Sequence, residues 1–167
     1  MLGQRRGTVD KGLLIRKIIE HLKGMLEAGM EAARATSAAA TDPDSKAENK
    51  YDTRNLEASY LARGQAARVV ETREALMEYE TLVPREYGAG KAIGEGALVA
   101  LRGGDGEFFC FLGPAAGGME IEVEGSSVMV ITAASPLGSR LWKRRAGERV
   151  ELSAGRAASA VEIVAVT

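Results

Sequence analysis

The sequence has few of the side chains on which self-contained catalytic sites depend. Its 167 residues include one cysteine, Cys110, and one histidine, His21. A zinc site needs several such ligands, and Cys–His or Ser–His–Asp catalysis needs a histidine beside the nucleophile. Cys110 lies among apolar residues, which is typical of a buried strand thiol in a reducing compartment. The chain is therefore predicted not to be an enzyme by itself and to carry no cofactor of its own.

Long apolar runs and a surplus of one charge are also missing. No segment approaches the roughly 20 apolar residues that a membrane-spanning helix needs, and the N-terminus lacks the hydrophobic core of a secretory signal. The net charge is −1, from 22 basic and 23 acidic residues. A general duplex-DNA binder normally has a basic surplus. We predict a cytoplasmic protein that contacts no membrane and reads no DNA sequence.

Alanine is abundant before residue 70, and aromatic residues make up 5% of the chain, which favours thin helical packing. Apolar or small residues recur at alternating steps of four and three, the heptad period of a helix that packs along one seam. The first seam, on a helix from Gly12 to about Ala40, comprises Ile15, Ile19, Leu22, Leu26, Gly29, Ala33, Thr36 and Ala40. The second, on a helix from about Ala47 to Tyr79, comprises Ala58, Ala62, Ala66, Val69, Arg73, Leu76 and Tyr79.

A short polar turn, residues 41–46, separates the two helical segments. Pro43 cannot continue a helix, and Asp44 or Ser45 can cap the next one. Two helices joined by so short a loop run antiparallel. We therefore predict a coiled-coil hairpin over residues 1–83 with its tip at about 41–48. The alternative is that both helices belong to a compact bundle, although no third helix of similar length is present.

Residues 84–96 are predicted to be a linker, because Pro84 and several glycines end the helical pattern. Short strand-like runs follow, separated by glycine-rich turns. They cover residues 97–101, 107–112, 121–124, 128–131, 149–152 and 161–166. One helix over 137–145 interrupts them, with Ser135 as its cap, Pro136 in its first turn and Gly147 after its end. The fold class is α+β, with a small antiparallel sheet and one short helix.

The segment 130–141 carries a family resemblance. A strand leads into Ser135-Pro136-Leu137 and a short helix, then comes Gly147-Glu148-Arg149-Val150, and the chain closes with the strand 161–166. This order resembles the Gre family (GreA/GreB type) of bacterial transcription elongation factors. The resemblance implies that residues 97–167 form an FK506-binding-protein-like (FKBP-like) domain without isomerase activity. That domain would dock on bacterial RNA polymerase while the hairpin reaches down the secondary channel to the active centre.

The resemblance also implies which residues act. Docking is expected to use Ser135, Pro136, Leu137, Arg140, Lys143 and Arg144. At the hairpin tip, Asp44 and Glu48, with Asp42 in reserve, are expected to help hold a catalytic Mg²⁺ ion of the polymerase. The polymerase then cuts the 3′ end of a backtracked transcript, so nascent RNA is contacted indirectly. Carboxylate oxygens suit this hard cation.

The tip departs from the family pattern. Family tips often read Asp-x-x-Glu-Asn-x-x-Tyr. Here three residues instead of two separate Asp44 from Glu48, and one instead of two separates Asn49 from Tyr51. This shift would rotate the acid pair around a helix. Lys46 and Lys50 also interleave with the acids. Two functions stay open, a cleavage stimulator and a Gre-like inhibitor without cleavage activity. The alternative role for Asp44 and Glu48 is that of helix-capping charges, because carboxylates favour a helix N-terminus.

Two further classes stay open. One is an adaptor that binds another protein through the sheet and uses the hairpin as a dimerisation arm. The other is a peptidyl-prolyl isomerase, which needs an aromatic-lined proline pocket. The relevant aromatic residues are Phe108, Phe109, Phe111 and Trp142. The three phenylalanines alternate faces along one strand and cannot all line one pocket, which disfavours the isomerase.

Overall fold

The computed structural model describes residues 9–40, 53–88, 90–154 and 157–167. Two long helices come first, α1 (Lys11–Ala40) and α2 (Thr53–Thr81). Six strands and one short helix follow: β1 (Leu98–Gly103), β2 (Gly106–Leu112), β3 (Glu120–Val123), β4 (Ser126–Ile131), α3 (Pro136–Leu141), β5 (Arg149–Ala154) and β6 (Ala157–Val166). The predicted fold class, two antiparallel helices followed by a sheet with one short helix, is confirmed.

The chain forms two compact units that divide the long helices between them. One unit is Ile19–Met77, and the other joins Met1–Ile18 to Glu78–Thr167. The predicted hairpin, linker and sheet-domain limits at residues 83, 84–96 and 97 stay a prediction. The predicted start of the second helix at Ala47 lies outside the described residues.

Within the unit 19–77, the seam predicted for α1 faces inward. The side chain of Ala40 lies outside the described residues, and the other members are buried or half-buried: Ile19, Leu22, Leu26, Gly29, Ala33 and Thr36. A Cβ atom on Gly29 would lie 3.1 Å from Cγ2 of Val69, and the Thr36 hydroxyl donates to Oε1 of Gln65 at 2.8 Å. Residue numbers rise along α1 as their partners' numbers fall along α2. The two helices therefore run antiparallel, as predicted.

The seam predicted for α2 is partly wrong. Ala58, Ala66 and Arg73 are exposed, and the inward positions are instead Ala62, Gln65, Val69, Thr72 and Leu76. Three residues four apart, as in 58, 62 and 66, drift around a helix because each such step overshoots a full turn by about 40°. The observed positions alternate three and four and stay on one line. Gln65 and Thr72 are polar, so a pattern of apolar and small residues does not include them.

The six strands form one sheet in the order β3-β4-β2-β1-β6-β5. Most neighbouring strands are antiparallel, but β2 and β4 are parallel, with Phe109 opposite Val128 and Leu112 opposite Ile131. The sheet is thus mixed, which corrects the prediction of a wholly antiparallel sheet. The reason is that β3 lies at the edge and turns back through Glu124 and Gly125, both at positive φ. This hairpin inserts β4 between β3 and β2.

Both faces of the sheet contribute buried residues. One face carries the cluster Ile93, Ala97, Val99, Leu101, Cys110, Leu112, Ile131, Leu141, Val150, Val161 and Ile163. Alternate positions on the same strands, such as Phe111 and Val130, are also fully buried, because successive side chains of a strand point to opposite faces. The same unit buries Leu14 and Ile18 of α1. The predicted seam does not include these two residues, although the apolar doublets 14–15 and 18–19 indicate a wide apolar face.

Helix α3 is shorter than predicted. It ends at Leu141 rather than at residue 145, and Trp142 forms its C-cap with φ −54° and ψ 126°. Lys143 has φ +65°, outside the helical region. The reason is a pair of backbone hydrogen bonds with Ile93, which donates to the Arg144 carbonyl at 2.7 Å and accepts from Lys143 N–H at 2.9 Å. These bonds draw the chain out of the helix.

Candidate partner-docking site

The loop between β4 and α3, residues 132–135, is fixed by the side chain of Ser135. Its hydroxyl donates to the Thr132 carbonyl at 2.7 Å and accepts from the Gly138 N–H at 3.1 Å. This is the N-cap arrangement, which satisfies an otherwise unpaired backbone donor at the helix start. Pro136 occupies the first helical turn, where its missing N–H costs nothing. The Ser-Pro motif therefore makes a rigid corner.

Gly138 allows this corner to fold tightly. A Cβ atom on Gly138 would lie 1.9 Å from the Thr132 carbonyl oxygen and 2.8 Å from the Ser135 hydroxyl. Real Cβ atoms essentially never come within 3.0 Å of such atoms, and the shorter of these two contacts is with backbone. Gly138 is buried. The loop geometry depends on the glycine that follows the Ser-Pro-Leu sequence.

The six predicted docking residues lie on this corner and the segment after it, but they are not equivalent. Pro136, Arg140, Lys143 and Arg144 are exposed, whereas Ser135 and Leu137 are half-buried. Leu137 packs against the buried cluster on the sheet. Arg140 donates from its guanidinium to the Glu151 carbonyl. Pro136, Lys143 and Arg144 are thus the residues most available to a partner, while Ser135 and Leu137 hold the corner in place.

A groove beside the corner was not predicted. It has a volume of about 270 Å³ and is lined by Glu95, Leu112, Gly113, Pro114, Thr132, Ala133, Ala134 and Trp142. Trp142 is 38% exposed, although tryptophan is usually well covered. The sequence predicts a helix over 137–145 with Trp142 inside it, so the exposure of Trp142 beside this groove depends on the early end of α3 at Leu141.

The corner exposes side-chain types that are common at protein–protein interfaces. An exposed aromatic ring in a partly apolar groove, next to the exposed cations Lys143 and Arg144, can receive an apolar side chain from a partner with an acidic surface. Trp and Arg are also the residue types that most often dominate binding energy at interfaces.

The aromatic residues considered for an isomerase pocket do not share a surface. Phe111 is completely buried, and Phe108 packs against the cluster that contains Cys110. These two side chains lie on opposite faces of β2. Burial raises the pKa of the Cys110 thiol to about 12, so the thiol is protonated near neutral pH and is no nucleophile.

The predicted tip residues Asp42, Asp44 and Glu48 lie outside the described residues, as do Lys46 and Lys50. The prediction for the tip therefore stays a prediction. In the part of the chain that the structure describes, no three His, Cys, Asp or Glu side chains converge as a metal site would require. Among the same residues, no helix combines the length and the apolar character needed to cross a membrane.

The sequence matches no protein-family model, and no curated protein matches it. Among solved structures, the chain is similar to Gfh1 of Thermus aquaticus, with 22% identity, a TM-score of 0.39, and 88% of this chain and 92% of that chain covered. It is also similar to GreA factor homolog 1 (Gfh1) of Thermus thermophilus, with 22% identity, a TM-score of 0.37, and coverage of 89% and 94%.

A third similar structure is a transcription elongation factor GreA/GreB from Nitrosomonas europaea, with 21% identity and a TM-score of 0.36. The match covers 71% of this chain and 95% of that chain. These proteins are of the Gre type, which the motif at residues 130–141 resembles. The similarity to Gre-type factors that this motif predicts is therefore confirmed. Because the TM-scores are low, the description of the fold rests on the geometry of this chain alone.

Proposed function

We propose that this chain is a Gre-like factor that binds bacterial RNA polymerase and regulates transcript elongation from within the secondary channel. The observation that carries the proposal is the Ser135-Pro136 corner. It is capped, fixed by Gly138 and flanked by exposed Lys143 and Arg144. It belongs to a sheet that follows two long antiparallel helices, which is the order of parts that the motif resemblance implies.

In this proposal the corner and the groove beside Trp142 form the docking surface. Its charge calls for an acidic complement on the polymerase. Long-range attraction between opposite charges mainly speeds association and fixes orientation, while the groove contributes apolar burial. The partner is a protein surface, and the nascent RNA 3′ end is engaged only through the polymerase.

The second half of the proposal concerns the hairpin tip. The factor is not an enzyme and has no cofactor of its own. It modulates the polymerase active site. Asp44 and Glu48, with Asp42 in reserve, supply carboxylate oxygens, the donor type that Mg²⁺ prefers. A Mg²⁺ ion of the polymerase held there would polarise a water for cleavage of a backtracked transcript. A factor with this task works in the cytoplasm, where transcription takes place in bacteria.

A Gre-like inhibitor is the second candidate, and a specific observation favours it. Lys46 and Lys50 interleave with the tip acids, and a cation near the acids repels a second metal ion. The acid pair is also out of register with the family pattern. An inhibitor would use the same docking surface and differ only in what the tip does.

The proposal is tested in two measurements on the full chain. Binding to core RNA polymerase is measured first, by fluorescence anisotropy of the labelled protein. Transcript cleavage is then measured on stalled elongation complexes with and without the protein. Binding with faster cleavage supports the stimulator, and binding with slower elongation supports the inhibitor. The absence of binding at micromolar concentrations contradicts the proposal and favours the adaptor.

A further inference from the structure

Helix α2 exposes large apolar side chains on the face opposite its seam. Leu56, Tyr60, Val70 and Met77 are 59%, 64%, 52% and 60% exposed, and Leu61, also 60% exposed, lies off this face. In the described part of α1, by contrast, Met25 is the one large hydrophobic residue exposed to a similar degree. Exposed apolar residues that cluster on one surface often mark an interaction site, whereas single scattered ones are normal. The outer face of α2 therefore calls for a partner.

The exposed residues follow a second heptad. The stripe comprises Leu56, Tyr60, Arg63, Ala67, Val70, Glu74 and Met77, all exposed and separated by alternating steps of four and three. That spacing keeps the seven positions close to one line along the helix, with apolar residues at both ends and the charged Arg63 and Glu74 between them. It is a different line from the inward seam at 62, 65, 69, 72 and 76, from which it is rotated by roughly 100° to 160°. Helix α2 thus has two packing faces.

The two charged members of the stripe indicate what covers it. Arg63 and Glu74 are both exposed, and neither forms a salt bridge within the described part of the chain. We propose that the stripe is a self-association surface for a second copy of this chain. The two α2 helices run antiparallel, so that Arg63 of each copy faces Glu74 of the other.

This register pairs six of the seven stripe positions favourably, and Leu56 lies beyond the paired span. Tyr60 lies against Met77 of the second copy, Arg63 against its Glu74, and Ala67 against its Val70, and the two-fold axis repeats each pair. Sulfur–aromatic contacts are favourable, and the pairing of a small with a branched residue allows close approach. A parallel arrangement in register would place Arg63 on Arg63 and Glu74 on Glu74, which is repulsive. Charge complementarity therefore selects the antiparallel dimer.

The inference does not depend on the proposed function, because it uses only residues 56–77 of α2. The pairing of layers from Tyr60 to Met77 spans about 26 Å at 1.5 Å per residue. An interface of this length between exposed helices is modest, so association is expected to be weak and concentration-dependent.

The experiment is sedimentation velocity of the full chain from micromolar to near-millimolar concentration. Wild-type protein should shift from the 17.7 kDa monomer toward twice that mass as concentration rises. R63E places acid against acid twice in the dimer, and E74R places base against base. Each variant alone should weaken dimerisation at least tenfold. The double variant R63E/E74R should restore it.

Mixing the two single variants gives the sharpest result. An R63E chain and an E74R chain complement each other in both charged layers, so the mixture should dimerise although neither component does. Circular dichroism of each variant checks that the helices are intact, which exposed positions permit. Monomers at every wild-type concentration overturn the inference and leave the stripe to another partner. A dimer that is insensitive to both charge reversals, or no recovery in the mixture, also overturns it.

Discussion

The hydroxyl of Tyr79 occupies the space in which a side chain on Gly113 would lie. A Cβ atom on Gly113 would come within 1.9 Å of the Tyr79 oxygen and 2.9 Å of its Cζ. The hydroxyl also donates to the Ala115 carbonyl at 3.0 Å, and Tyr79 is almost fully buried. The end of α2 is thereby joined to the segment after β2 within one compact unit.

We therefore expect G113A to destabilise the protein. The added methyl group must displace a buried ring, and overpacking of this kind costs roughly 1 to 3 kcal/mol. In a Y79F background the nearest clashing atom is gone, so the cost of G113A should fall by about half or more. Urea unfolding of wild type, G113A, Y79F and G113A/Y79F gives the four free energies of this double-mutant cycle. G104A is the matched control, because a Cβ on Gly104 meets nothing within 4 Å. If G113A destabilised wild type and Y79F by the same free energy, the contact between Gly113 and the Tyr79 hydroxyl would be refuted.

Tyr79 also predicts a pH dependence. Burial first, and the nearby carboxylates of Glu78 and Glu95 second, raise the pKa of Tyr79 above its ordinary value of 10.0. In the unfolded chain the phenol releases its proton near pH 10, whereas the folded protein retains it. Stability from this group is therefore complete below pH 10 and declines as pH rises above it. Y79F should show a smaller alkaline loss of stability than wild type, measured by urea unfolding from pH 8 to 11. Y60F, at an exposed tyrosine, should behave like wild type.

The hairpin predicts a difference between two alanines one turn apart. Ala62 faces inward and is half-buried, whereas Ala58 is exposed. A62L should therefore cost about 1 to 3 kcal/mol by overpacking, while A58L should change stability by less than about 0.5 kcal/mol. Thermal unfolding of both variants, followed by circular dichroism, gives the comparison. If A58L were the more damaging change, the assignment of the inward face would be wrong.

The sequence predicted element type and order well and packing less well. Apolar doublets, proline and glycine determine where helices and strands begin and end, so the strand bounds agree within a few residues except for the earlier start of β6. The inward role of Gln65 could not be read from its type, because its place depends on Thr36 of the other helix. The parallel pairing of β2 with β4 and the early end of α3 at Leu141 arise from contacts distant in sequence. Patterns in a single segment do not contain such contacts.

The candidate docking site was predicted from a resemblance to a family motif and not from the chemical properties of its residues. Ser135 and Pro136 are visible in the sequence as a helix start, and the exposed cations follow directly. The groove beside Trp142 needed the structure, since Glu95, Pro114 and Thr132 come from three separate segments. Leu137 packs against the buried cluster, so a substitution there would disturb the fold as well as docking. Substitutions at the exposed Lys143 and Arg144 test docking alone.

We expect K143E/R144E to weaken binding to core RNA polymerase at least tenfold. Both side chains are exposed, so the fold should survive, and the loss should shrink as salt rises because screening weakens both attraction and repulsion. R16E/K91E changes the net charge equally at exposed cations of the same unit that lie outside the proposed docking surface, and it should bind nearly as well as wild type. Equal weakening by both pairs would indicate general electrostatics instead of a docking site.

The last prediction concerns the tip acids and depends on separating docking from chemistry. D44N/E48Q removes two charges while keeping the side chains nearly the same size. If these carboxylates hold a Mg²⁺ ion of the polymerase, the amides should bind that hard cation poorly, and cleavage of backtracked transcripts should fall to the rate without the factor. Affinity for the polymerase should be unchanged, because the proposed docking surface lies around Ser135. E20Q/E27Q, at exposed positions of α1, removes the same charge and should cleave normally. If D44N/E48Q stimulated cleavage as well as wild type, the two acids would be helix caps. A loss of stimulation in D42N would then identify Asp42 as the carboxylate that acts.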